Sequence, residues 1–150
     1  MIISVSIAKK LHQKLTRIKQ DYSNELTVKA IPYPLDLQGS GYEAAAVSIC
    51  AAMETEYSTS IHASIYEHQP EHNDLEADHL ITSAVPDNNE RNALQNCLQY
   101  QAYDDYLSEN IALGEQLNLN SVPVLIINGE KYTGALSERQ LIAIIEKHLE

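Results

Sequence analysis

Apolar residues in the first third of the chain change period twice. "IISVS", residues 2–6, is a short β-branched run that predicts a strand. From Ile7 the spacing becomes four and three, and Ile7, Leu11, Leu15, Ile18 and Tyr22 fall on one face of a helix. "ELTVKAI", 25–31, then alternates apolar with polar residues as a half-buried strand does, and "PYP" at 32–34 closes it. These three segments predict a β-α-β opening.

Helical patterns follow from about residue 42 to 118, broken by punctuation. "YEAAAVSICAAMETEY" favours helix through its alanines. Ser58 or Thr59 is the expected cap for "IHASIYEHQ", which Pro70 ends, and Asp74 the expected start of "DLEADHLITSA". Asp87 with Glu90 three residues on predicts a capping-box-like start to the next helix. A long amphipathic helix is expected from Tyr103 to Leu117, with Tyr106, Leu107, Ile111 and Leu113 or Gly114 on its apolar stripe. The end of the chain is the most legible part. "VPVLIIN" predicts a buried strand, Asn128-Gly129 a two-residue turn, "EKYTG" a returning strand, and Ser137 caps a helix whose Leu141, Ile144, Ile145 and Leu149 face the sheet. With no internal repeat or linker, the order is that of one domain, 1–150, an α/β sandwich with a helical insertion at about 42–118.

Composition narrows the function classes. Hydrophobic residues make up 44% of 150 positions, enough for a globular core; Phe and Trp are absent, so nine tyrosines supply all the large rings. Ten basic against twenty-one acidic residues give a net charge of −11, which repels a phosphate backbone and argues against nucleic-acid binding. Apolar runs such as "VPVLII" are far too short to span a membrane, and the N-terminus lacks the apolar core of a secretory signal, so the chain as written reads as cytoplasmic. Basic residues gather in the first helix, at Lys9, Lys10, Lys14, Arg17 and Lys19, where a solvated face explains them.

Several chemical motifs carry little. The glycines of "DLQGSG" lack the strand-to-helix context of a nucleotide loop. His62, His68, His72 and His79 cluster loosely, but Pro70 interrupts the i,i+4 pair His68/His72 and no carboxylate completes a metal set. Neither a Ser-His-Asp arrangement nor a phosphate loop is present, and no cofactor is implied.

"AAAVSICAAMETEYSTSIHASIYEHQP" and "LQNCLQYQAYDDYLSENIALGEQLNLNSVPVLIINGEKYTGALS" together resemble the DsbA-like branch of the thioredoxin superfamily. That resemblance spans nearly the whole chain and is most specific at the proline-led strand with its Asn-Gly hairpin. It implies a thioredoxin-like fold with a DsbA-type helical insertion, and a cis Val122-Pro123 bond beside which an extended peptide or protein substrate would pair. It would also place the protein outside the cytoplasm, exported or periplasmic, if the N-terminus was trimmed.

The chain departs from the family where its chemistry is carried. Family members place Cys-x-x-Cys at the start of the first helix, where the helix dipole and free N–H groups stabilise a thiolate. Aligned on "KKLHQKL", the matching positions are Val5 and Ala8, which cannot form one. A shift of one or two residues offers Ser4 or Ser6. A serine there is similar to the kappa-class glutathione transferases, whose remaining active-site pattern is absent, and Ser6 also reads as a plain helix cap. Only Cys50 and Cys97 remain, at positions where the resemblance implies a structural disulfide; two buried free thiols and a redox-active pair are the alternatives. The expected function is a redox-inactive protein- or peptide-binding module. Alternatives are a thiol-disulfide oxidoreductase, using Cys50 and Cys97 or cysteines outside this sequence, and a glutathione-binding transferase-like protein. An exposed "IISVS" strand would also permit a homodimer.

Overall fold

Periodicity becomes structure most directly in α1 (Val5–Asp21), whose Leu11, Leu15 and Ile18 are buried on one face. The computed structural model describes residues 5–35, 37–68 and 77–150. Within them α1 is followed by α2 (Ser40–Glu54), α3 (Ser58–His68), α4 (Ala77–Ala84), α5 (Asn88–Gln99), α6 (Asp104–Gln116), β1 (Val124–Ile127), β2 (Glu130–Thr133) and α7 (Glu138–Leu149).

Two apolar cores organise these elements. One joins α2 to α6: Ala44, Ala45, Ala46 and Ala51 let helices approach α2 closely, and Ile61, Ile65, Ile81, Leu94 and Leu107 fill the space around it. Cys50 of α2 and Cys97 of α5 are joined there by a disulfide across a Cα–Cα distance of 5.8 Å. The second core packs Leu11, Leu15 and Ile18 of α1 with Leu125 of β1 and Leu141 and Ile145 of α7. A small cluster of Tyr33, Leu119 and Val124 accompanies them, with Leu117 and Val122 against it.

The C-terminal unit follows the sequence closely. β1 and β2 are antiparallel, Val124 opposite Thr133, and Asn128 and Gly129 turn between them with φ of 47° and 88°, the left-handed pair that Asn-Gly accommodates. Ser137 completes a full capping box: its hydroxyl accepts from Gln140 N–H at 3.2 Å, and its own N–H donates to the Gln140 side chain at 2.8 Å. Asp87 caps α5 at 2.9 Å, but Glu90 turns away from the box to accept a 2.6 Å bond from the Thr55 hydroxyl.

The β-α-β opening is corrected. Residues 2–4 lie outside the described residues, Val5 and Ser6 are already helical, and 25–31 belongs to no sheet. The only sheet among the described residues is β1-β2. Leu26 and Val28 do pack inward on the second core. Alternation therefore reports an extended backbone with one face buried, and it carries no information about whether a neighbouring strand is present to accept the hydrogen bonds. Ser6 is inside α1 and does not cap it. Ser58 and Thr59 likewise open α3 as helical residues, after a Tyr57 N–H held by the Thr55 hydroxyl at 2.8 Å. Asp74 and Pro70 lie outside the described residues. Tyr106, Leu113 and Leu149, expected on apolar faces, are instead exposed, and Gly114 takes the buried position on α6.

Candidate peptide-binding groove

Leaving α6, the chain turns through Asn118, whose φ of 52° ends the helix in the left-handed region, while Leu119 N–H bonds back to Gly114 C=O at 2.9 Å. It then enters β1 through Val122-Pro123, a cis peptide bond. Proline donates nothing there, so no ladder bond is lost at the strand's start. Successive β1 side chains divide between two faces: Leu125 enters the second core, while Val124 and Ile126 face a groove.

The opposite wall of this groove is the extended segment, which contributes Thr27, Lys29, Ile31 and Tyr33, each two residues from the last. α6 forms its floor with Asn110, Leu113 and Gly114, joined by Leu117 just beyond its end, and the volume is about 410 Å³. Asn110 Nδ2 donates to Pro32 C=O at 3.0 Å and so ties the extended wall to the floor. The ring of Tyr33 lies directly on Gly114, where an added Cβ would stand 2.1 Å from Tyr33 Cε2; only glycine admits this approach. Ile126 and Leu113 are 45% and 39% exposed, so the groove presents apolar surface to solvent. β1 has β2 on one edge and no strand on the other among the described residues.

Val122 and Pro123 thus stand at the head of the strand that walls the groove, with Val122 packed against the Tyr33 cluster. Val5 and Ala8, the positions that the resemblance would match to Cys-x-x-Cys, lie in the first turn of α1 together with Ser6, and their side chains fall outside the described residues, as does Ser4 altogether. Cys50 and Cys97 are 0% and 4% exposed in the helical core and line no part of the groove. His62 is packed in α3, His79 is exposed on α4, His72 is outside the described residues, and no metal-binding group of three ligands occurs among the described residues. No described helix is long and apolar enough to cross a membrane. Tyr33, Asn110 and Lys29 were not signalled as groove residues by the sequence. Gly114 gave a hint, because glycine inside an amphipathic helix is costly unless something must come close.

Residues 8–147 match the profile of the family described as Thioredoxin. The chain belongs to that family. Its helix-dominated α/β architecture with a small antiparallel sheet is a thioredoxin-like fold. No curated protein and no solved structure matches the chain.

Proposed function

We propose that this thioredoxin-family protein is a DsbA-like domain without a redox dithiol in the described fold, and that it binds an extended peptide or protein segment in the groove beside Val122-Pro123. The observation that carries this reading is the groove itself. Two extended segments face each other across it, one of them a sheet edge with no strand neighbour among the described residues, and their side chains enter it at every second position. A strand laid between them would pair its backbone with β1 and place alternate side chains over Leu113, Leu117 and Ile126. The matching ligand is therefore extended, with apolar residues two apart.

The test is a titration of the purified protein with peptides of alternating apolar-polar pattern, followed by amide chemical shifts. Saturable shifts confined to 27–33, 110–117 and 122–126 are expected, with loss of binding when a proline replaces the central peptide residue. Shifts elsewhere, or equal binding of the proline peptide, would count against it. Insulin reduction by the same preparation would instead favour the oxidoreductase alternative. Burial of Cys50 and Cys97 weighs against that alternative, since an attacking thiolate must be reachable. Retention on immobilised glutathione, abolished by Ser4→Ala or Ser6→Ala, would favour the transferase-like reading.

A further inference from the structure

α6 borders two clefts. Asn110, Leu113 and Gly114 line the groove beside Val122-Pro123, while Asp104, Ser108, Ile111, Ala112 and Glu115 line a second cleft of about 390 Å³ that shares no residue with the first. Steps of three and four residues place these five side chains along one stripe of the helix. Tyr42 near the start of α2 and Leu37 from the loop before it form the opposite wall, and buried Leu107 forms the base.

The cleft is apolar in its middle and acidic at its ends. Tyr42 and Ile111 are partly buried against the helical core, whereas Leu37 is 67% exposed, the most exposed leucine among the described residues. An aliphatic side chain left this open beside an apolar cleft is stabilised when a partner covers it. Ser108 and Ala112, one turn apart, are small and exposed, so another helix can come close to α6 between them. Asp104 and Glu115 stand at the two ends, about 16 Å apart along the helix axis, and both are exposed. Among the described residues neither is engaged in an ion pair.

Charge selects what fits. Each element from α2 to α6 carries acidic residues, and Arg91 is the one Lys or Arg among them. Five of the chain's ten basic residues, Lys9, Lys10, Lys14, Arg17 and Lys19, lie instead on α1. The dipole of α6 adds to the negative field at its Glu115 end. An anionic lipid surface or a nucleic acid is repelled by such a wall. A second copy of this chain is a poor occupant, because the apolar stripe of α1, its strongly basic helix, is buried against β1 and α7. We propose that the α2–α6 cleft docks a basic amphipathic helix of a partner protein. Its apolar side chains sit over Ser108, Ile111 and Ala112 against Leu37, and a Lys or Arg at each end pairs with Asp104 and Glu115.

The probe is an amphipathic alanine-leucine helix with two lysines at each end, blocked at both termini and titrated into the whole protein. Binding is followed by fluorescence anisotropy and amide chemical shifts, with an otherwise identical peptide ending in glutamates as the control. Saturable binding of the lysine peptide is expected, with shifts confined to 37–42 and 104–115 and an affinity that falls as salt rises. Asp104→Asn with Glu115→Gln weakens binding about fivefold, the worth of two exposed ion pairs. Leu37→Ser weakens it severalfold with Tm unchanged, since that side chain is already mostly in solvent. Equal binding of the glutamate peptide, indifference to both sets of substitutions, or shifts centred on 27–33 and 122–126 would each overturn the proposal. A concentration-dependent dimer that displaces the lysine peptide would assign the cleft to a second copy and overturn it too. The substituted residues do not line the groove beside Val122-Pro123, so binding of the alternating peptide there is unchanged in these variants.

Discussion

At the residue scale, two side chains have consequences larger than their contacts suggest. Gly114 admits Tyr33 to the floor of the groove, and a methyl there meets the ring at 2.1 Å. Gly114→Ala is expected to destabilise the fold by roughly 1–3 kcal/mol through overpacking, despite the better helix propensity of alanine. Urea unfolding measures this loss, and affinity for the alternating peptide should fall with it. Tyr66 governs the alkaline limb. Its folded pKa, raised to about 12 by burial, exceeds the ordinary 10.0, so the stability it contributes is complete below pH 10 and is lost as pH climbs toward 12. The loss amounts to about 3 kcal/mol for a shift of that size. Comparing unfolding at pH 9 and 11 in the wild type and in Tyr66→Phe checks it, the variant showing the flatter dependence.

At the element scale, the disulfide between α2 and α5 closes a loop with a sequence separation of 47. Constraining the unfolded chain to that extent is worth about 4 kcal/mol in the chain-entropy model, so reduction, or the double substitution Cys50→Ala with Cys97→Ala, is expected to lower stability by that order. Guanidinium midpoints with and without reductant measure it. Legibility in the sequence also varied by element. The hairpin, the Ser137 cap, α6 and α7 were readable because local chemistry dictates them: Asn-Gly demands its turn, and a serine three residues before a glutamine demands its box. The 25–31 segment reads as a half-buried strand yet joins no sheet, because a ladder depends on a second segment that alternation does not encode. The groove floor was only half legible. Its apolar positions follow from period, but the choice of Gly114 over Leu113, and the Asn110 bond to the Pro32 carbonyl, arise from tertiary approach of segments 78 residues apart.

At the scale of the whole molecule, two half-buried histidines contribute to the acid limb. Desolvation holds His12 below its ordinary 6.5, with the Glu67 charge opposing, and His62 is lowered by desolvation and then by the charge of His12, with the Ser48 backbone opposing. As pH falls through 6.5 the unfolded chain takes up protons that the folded chain refuses. Stability is therefore full above that value and drains until the folded pKa values are passed. Denaturant midpoints should drop between pH 7 and pH 5, and His12→Gln with His62→Gln should flatten the slope; an unchanged slope would show that other groups dominate. Glu130, exposed, and Glu138, half-buried, are lowered by bonds to Tyr132 and Arg17 respectively and act only at more acidic pH.

The two apolar cores share the molecule unequally, because the covalent staple lies entirely within the one built from α2 to α6. Oxidation therefore stiffens one half of the protein and leaves α1, the hairpin and α7 to their own packing. In a scanning calorimeter the oxidised form should melt in two overlapping stages, the unstapled half first, whereas reduction should bring the stages together. Redox state would then set how cooperatively the chain melts.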